Sequence, residues 1–151
     1  MTRAVPLLLA LAAVLCACDN PVGYQTDHLE AVEVIVLDET GLELARTVEN
    51  RQWVGPAAEA GLAVPAGGTL GLRVRFVTLD GDEVPVTARA GLTLRVEWEP
   101  EGLAVHEPLG DRDEIHGLRP GTTALRLLAW HGTHADFISP PLVLTVAASS
   151  P

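Results

Sequence analysis

Short segments of alternating apolar and polar residues follow one another from position 29 onward, and this period of two is the strongest constraint on the fold. Residues 70–77 place Leu, Leu, Val and Phe at alternate positions with Gly, Arg, Arg and Val between them, and residues 92–98 repeat the pattern. Because alternate side chains of a β-strand point to opposite faces, each segment predicts a strand with one buried face. No stretch of a dozen residues has the period of a helix. The chain is therefore expected to be all-β, with mostly antiparallel strands.

Turn-forming residues divide the chain into short strands, as in sandwiches and small barrels. Further strands are predicted at residues 30–38, 42–48, 57–64, 83–88, 103–107, 114–118, 123–130 and 135–146. The turns between strands are predicted at Glu39-Thr40-Gly41, Asp80-Gly81, Gly110-Asp111-Arg112 and Gly132-Thr133. The predicted core contains the apolar residues on one face of the two clearest strands, namely Leu72, Val74, Phe76, Leu94, Val96 and Trp98.

The charge composition of the chain argues against nucleic acid as a partner. The 151 residues carry 20 Asp and Glu against 10 Arg and no Lys, which gives a net charge of −10. A nucleic-acid partner is not expected, because binding to phosphates requires a basic surface. The hydrophobic content of 48% is typical of one globular domain.

The N-terminal residues 1–17 have the features of a secretory signal peptide. Arg3 precedes an apolar run at positions 5–15, which is shorter than the roughly 20 residues of a membrane-spanning helix. The run ends in Leu15-Cys16-Ala17-Cys18, which resembles the lipobox of bacterial lipoproteins. The resemblance implies that Cys18 carries lipid, including a palmitate-type acyl chain, and that residues 18–28 form a lipidated tether.

This resemblance also implies a location. The protein would be anchored in the bacterial cell envelope, on the periplasmic face of the outer or inner membrane or at the cell surface. Cys16 would leave with the signal peptide and Cys18 would be consumed by lipid. Disulfides, thiolate metal sites and cysteine nucleophiles would then be excluded from the mature chain.

A second resemblance covers residues 62–147. The segments that carry it are Gly67-Gly68-Thr69-Leu70, Phe76 to Val84, Val96-Glu97-Trp98, Gly117-Leu118-Arg119-Pro120-Gly121-Thr122-Thr123-Ala124-Leu125 and Val143-Leu144-Thr145-Val146. Together they are similar to the bacterial immunoglobulin-like domain of the invasin and intimin type. The resemblance implies an immunoglobulin-like antiparallel β-sandwich, placed at residues 29–148, with extra strands from residues 29–61 and a tail at 149–151. Function does not follow from such a fold.

The sequence contains few of the residues and motifs used in catalysis, and the chain is not expected to be an enzyme. Its three serines, Ser139, Ser149 and Ser150, lie in no known nucleophile motif. The acidic residues at 97–101 are interpreted as an exposed face, and those at 80–83 as a hairpin turn rather than a calcium loop.

The segment from Trp130 to Phe137 contains the strongest candidate for a ligand-binding site. If Gly132-Thr133 is a two-residue turn with Gly at its first central position, His131 and His134 become a directly opposed pair on one face. Asp136, two residues beyond His134, points to the same face. Two imidazoles and a carboxylate suit Zn²⁺, Cu²⁺, Ni²⁺ or Fe²⁺, with Zn²⁺ or Cu²⁺ as the candidate cofactor.

Two further histidines, His106 and His116, flank the Gly110-Asp111-Arg112 turn and are candidates for completing this site. His28 lies in the tether. Two interpretations stay open: a metal site, or a polar hairpin tip with exposed histidines. The apolar run Leu125, Leu127 and Leu128 also leaves open which face of its strand is buried.

Three functions are consistent with these patterns. The first is a non-catalytic interaction or accessory module that supports another envelope protein. The second is a periplasmic lipoprotein that binds a divalent metal ion through His131, His134 and Asp136. The third is a carbohydrate-binding sandwich that uses aromatic residues, for which Trp53 and Trp130 are candidates while Trp98 is expected in the core.

The lipobox gives a direct prediction. Cys18→Ala should abolish lipid attachment, because the modified sulfur is removed, whereas Cys16→Ala should leave it intact. Acyl labelling followed by detergent partition measures both variants. Labelled Cys18→Ala protein together with unlabelled Cys16→Ala protein would show that Cys16 is the modified residue.

Overall fold

The computed structural model describes residues 31–48, 51–87 and 91–149, which form twelve strands and one short helix. The elements are β1 (Glu33–Asp38), β2 (Glu43–Val48), β3 (Gln52–Val54), α1 (Pro56–Ala60), β4 (Leu62–Pro65), β5 (Thr69–Val77), β6 (Glu83–Val84), β7 (Leu92–Glu99), β8 (Ala104–Leu109), β9 (Arg112–Gly117), β10 (Gly121–His131), β11 (His134–Ile138) and β12 (Leu142–Ala147). The signal peptide, the lipobox and the tether lie outside the described residues.

Two sheets pack against each other and enclose one hydrophobic core. The first sheet has the strand order β3-β2-β1-β5-β9-β8, and β6 pairs with β5. The second has the order β11-β10-β12-β4, and β7 pairs with β10. Of the pairs between these strands, β4 with β12 is parallel and the others are antiparallel. The predicted all-β sandwich is therefore confirmed.

The core prediction is confirmed in part. Phe76 is fully buried and contacts the ring of Phe137 edge-on at 5.7 Å between centroids, and Leu72 is also buried. The other four predicted core residues are partly buried and pack against the core: Val74, Leu94, Val96 and Trp98. Strand β7 carries three of them, and among the described strands it pairs with β10 alone.

A cavity of about 520 Å³ between the sheets accounts for the exposure of Val74 and Leu94, which both line it. Strand β5 pairs with β9 at residues 69–72 and with β6 at residues 76–77, which leaves position 74 between the two partners. The side chain of Val74 therefore lines a space that none of the described strands closes.

Two glycine segments hold the crossovers between the sheets together. The Gly67 N–H donates to the Gly117 carbonyl at 2.7 Å, and the Gly117 N–H donates to the Gly68 carbonyl at 3.0 Å. A Cβ at Gly117 would lie 2.5 Å from the Pro65 carbonyl oxygen, so this backbone approach requires glycine. Both segments belong to the motifs that carry the immunoglobulin-like resemblance.

The predicted turns lie where expected. In the β1–β2 turn, Asp38 Oδ1 accepts hydrogen bonds from the Thr40 hydroxyl, the Thr40 N–H and the Leu42 N–H at 2.7, 2.8 and 2.9 Å. The Thr40 side chain, followed by the Leu42 amide, lowers the pKa of the Asp38 carboxyl. The acidic segment 80–83 forms the β5–β6 turn, closed by the Thr78 N–H donating to the Asp82 carbonyl at 2.9 Å.

The prediction of one strand over residues 57–64 is wrong. Residues 56–60 form α1, which begins with proline at its first turn and continues with Ala57-Ala58-Glu59-Ala60. Proline is favoured at a helix start, and alanine and glutamate are strong helix formers. The short strand β3 was not predicted either, because three residues are too few to show a period.

The prediction of one strand over residues 135–146 is also wrong, because Ser139-Pro140-Pro141 divides it into β11 and β12. Both strands pair with the same side of β10, one after the other. Where they separate, the Ser139 hydroxyl accepts from the Leu127 N–H and the Ser139 N–H donates to the Leu127 carbonyl, both at 2.9 Å. The buried peptide groups of Leu127 are thus satisfied by one serine.

Phe76→Ala should lower the free energy of unfolding by about 3–5 kcal/mol, because a fully buried aromatic ring is removed and a cavity remains. Leu79→Ala is the matched control, since Leu79 is 85% exposed. Chemical denaturation measures both variants. Equal denaturation midpoints for the two variants would contradict the assigned core.

Ser139→Ala should lower the free energy of unfolding by about 1–3 kcal/mol, because the buried Leu127 N–H loses its acceptor. Thr122→Ala, at an exposed position of β10, is the control. Denaturation together with amide hydrogen exchange at Leu127 measures the effect. An unchanged exchange rate in Ser139→Ala would show that the hydroxyl is not needed there.

Candidate metal centre

The β10–β11 hairpin places His131 and His134 directly opposite each other. The loop between them is Gly132-Thr133, and Gly132 has a φ of +62°, as a glycine at the first central position of such a turn requires. The Thr133 N–H also donates to the His131 carbonyl at 2.6 Å, which tightens the tip. The predicted turn and the predicted opposed pair are therefore both present.

A β-bulge in this hairpin positions the carboxylate. Ala129 pairs with Phe137 and Trp130 pairs with Ala135, so Asp136 is the extra residue of β11. The bulge sets Asp136 beside His134 while Phe137 remains in the core. An inserted residue of this kind changes where neighbouring side chains point.

The three side chains offer donor atoms that all lie within 4.8 Å of one another. His134 Nε2 is 3.0 Å from Asp136 Oδ1, and His131 Nδ1 is 3.5 Å from Asp136 Oδ2. Donor atoms around a tetrahedral ion with bonds of about 2.0–2.1 Å lie about 3.3–3.4 Å apart. Each imidazole is thus close to this distance from one of the two Asp136 oxygens, and the two imidazoles are within 4.8 Å of each other.

The cluster lies at the end of the inner face of the second sheet. His131 pairs with Leu92 of β7, which is buried. The side chains of Asp136 and His131 are 13% and 25% exposed, whereas that of His134 is 59% exposed. The cluster therefore has a covered side at His131 and a solvent side at His134.

Gly91 contacts the covered side. A Cβ at this position would lie 3.3 Å from His131 Nε2, and Gly91 has a φ of +75°. A larger residue at position 91 would crowd the imidazole ring. The sequence gives no signal for this contact, because Gly91 is 40 positions from His131 along the chain.

The opposite face of the same ribbon carries a cation. The Arg95 guanidinium lies over the Trp130 ring, 3.8 Å from its centroid, and the Trp130 indole N–H donates to the Gly132 carbonyl at 2.9 Å. The facing of β10 is thereby settled: Leu125, Leu127 and Ala129 belong to the core cluster, and Leu128 does not. The positive charge of Arg95 thus lies on the face away from the candidate ligands.

The other two candidate ligands have different contacts. His106 pairs with Ile115 and His116 with Val105, so the two histidines are offset by one residue across the β8–β9 hairpin. Adjacent positions of a strand face opposite ways, so the two imidazoles lie on opposite faces of the first sheet. His106 Nε2 is 2.7 Å from Asp113 Oδ1.

His116 lies on the outer face of the first sheet. Its Nδ1 is 3.1 Å from the Thr69 hydroxyl, and its Nε2 is 3.1 Å from Glu107 Oε2 and 3.6 Å from Glu114 Oε2. Neither His106 nor His116 belongs to the three-residue group at the hairpin.

The three tryptophans lie at separate places. Trp53 is on β3 of the first sheet and donates from its indole to the Pro140 carbonyl at 2.9 Å. Trp98 pairs with the buried Leu125 on the inner face of the second sheet, and Trp130 lies on the outer face of that sheet beneath Arg95.

Neither a scan against protein-family models nor a search of the curated proteins finds a match to this chain. Among the described residues, no helix has the length and apolar character needed to cross a membrane.

Proposed function

We propose that this chain is a lipid-anchored protein of the bacterial cell envelope whose β-sandwich is a non-catalytic binding module for a divalent transition-metal ion. The anchor is Cys18, and the metal ligands are His131, His134 and Asp136. The observation that carries the metal assignment is the spacing of the three donor atoms, which lie within 4.8 Å of one another on a short two-stranded ribbon.

The chemistry of the ligands supports a borderline or moderately hard ion. Imidazole and carboxylate suit Zn²⁺ and Cu²⁺, whereas Cu⁺ prefers thiolate and thioether donors, and the mature chain would have neither a free cysteine nor a methionine. Two guanidinium groups contact aromatic rings of this hairpin: Arg95 of β7 stacks on Trp130 on the opposite face, and Arg51 lies over the Phe137 ring, 5.9 Å from its centroid. A divalent ion would also offset negative charge in a chain with a net charge of −10.

The alternative role is an interaction module that supports another envelope protein through its surface, without metal. The same β-sandwich fold would serve it equally well. Metal binding is favoured here because three ligands, two imidazoles and one carboxylate, lie within 4.8 Å of one another, whereas no described surface points to a particular protein partner.

Calorimetric titration of Zn²⁺ and of Cu²⁺ tests the proposal. The whole chain is used in detergent with Cys16→Ser and Cys18→Ser, so that thiols do not compete for the ion. One dominant site per chain is expected, and the double substitution His131→Ala with His134→Ala should remove it. His116→Ala is the matched control, because that histidine also lies beside carboxylates.

The same titration has a predicted dependence on pH. Imidazole binds metal only when it is unprotonated. Because protons compete with the ion for the same two imidazole nitrogens, the affinity for metal should fall as the solution is made more acidic. The metal-ligand assignment would be contradicted if the double variant bound the ion as tightly as the parent, or if the affinity for the ion did not change with pH. The interaction module would then stand as the proposed function.

A further inference from the structure

Either ring nitrogen of a histidine can bind a metal ion, and the two nitrogens of His131 have different surroundings. Nδ1 of His131 is buried and lies 3.5 Å from Asp136 Oδ2. This nitrogen therefore faces the carboxylate of the candidate site. Its distance from the carboxylate oxygen is close to the separation of two ligand atoms on one tetrahedral ion.

The other side of the His131 ring faces the backbone of Gly91. The described atoms nearest to a Cβ placed on Gly91 are His131 Nε2, at 3.3 Å, and His131 Cδ2, at 3.4 Å. These two atoms are bonded to each other, and the bond between them lies across the imidazole ring from Nδ1. The ring is therefore held between Gly91 and Asp136, with Nδ1 on the side of the carboxylate and the Nε2–Cδ2 edge on the side of the glycine.

The ring of His134 presents its other nitrogen to the same carboxylate. Its Nε2 lies 3.0 Å from Asp136 Oδ1, whereas its Nδ1 lies 3.4 Å from the hydroxyl of the adjacent Thr133. The two opposed histidines of the hairpin thus direct different ring nitrogens toward Asp136.

From these contacts we infer that an ion at the hairpin is bound by Nδ1 of His131 and Nε2 of His134, and that Gly91 is the residue that positions the His131 ring for this mode of binding. The inference rests on the proposed function. A neutral imidazole that binds metal through one nitrogen carries its proton on the other, so His131 would hold its proton on Nε2. Any side chain at position 91 would add a Cβ against the Nε2–Cδ2 edge and crowd the ring toward the ion.

Nitrogen NMR of the histidine rings tests the mode of binding, because it distinguishes a nitrogen that carries a proton from one that carries metal. The whole chain with Cys16→Ser and Cys18→Ser, isotopically labelled at its histidines, is measured in detergent before and after one equivalent of Zn²⁺. Bound metal is expected on Nδ1 of His131 and on Nε2 of His134. Single His131→Ala and His134→Ala variants assign the signals, and the rings of His106 and His116 should keep theirs.

Gly91→Ala tests the positioning role, with Gly110→Ala as the matched control. Both glycines have a φ of +75°, so both variants carry the same kind of backbone strain, but no described atom lies within 4 Å of a Cβ at Gly110. Gly91→Ala should weaken Zn²⁺ binding about 10-fold, at the lower end of the effect of groups that orient metal ligands. Gly110→Ala should bind Zn²⁺ as the parent does, and denaturation without metal measures the strain in each variant.

The outcomes separate the two claims. If Zn²⁺ changes neither the His131 nor the His134 signals, the proposed function itself is refuted. If Zn²⁺ binds His131 through Nε2, with the proton on Nδ1, the mode of binding is wrong while the metal site stands. Equal Zn²⁺ affinities in Gly91→Ala and Gly110→Ala would overturn the positioning role of Gly91.

Discussion

The second sheet depends on the hydrogen bonds of the two peptide groups that flank the Leu127 Cα. Strand β10 is eleven residues long and is paired on one side first with β12 and then with β11. Between these two partners the ladder is interrupted inside the core, where an unsatisfied N–H would cost about 1–3 kcal/mol. The hydroxyl and amide of Ser139 fill the interruption. Ser139 directly follows β11, the strand that carries the bulge at Asp136 and His134 of the candidate site.

The strands that follow from the sequence are those in which one face is buried and the other is exposed. Strands β5 and β7 show this alternation over most of their length, and the glycine-containing turns show where strands end. The missed features depend on contacts instead. A proline is compatible with a helix start or a strand break, and only the packing of the neighbours decides between α1 at Pro56 and the interruption at Pro140.

The residues of the candidate site could be predicted from the sequence, whereas the bulge and the contacts that position them could not. A two-residue turn with glycine forces the flanking positions into opposition, and this local rule identified His131 and His134. The bulge at Asp136 requires the register of two strands, and no local pattern gives it. His106 and His116 are offset by one residue in the register of β8 with β9. Because the side-chain period of a strand is two, this offset places the two imidazoles on opposite faces of the sheet.

The path of β1 has a consequence for where the hairpin tip lies in the cell. Glu33 pairs with Val77 at the end of β5, and the neighbouring Phe76 contacts Phe137 of β11. The chain thus enters the sandwich at the end that carries the cluster. From Cys18 to Ala31 there are thirteen steps, which span at most about 45 Å when fully extended. With lipid on Cys18, as proposed, a bilayer surface would lie within this reach of Ala31, at the end of the sandwich that carries the histidine pair.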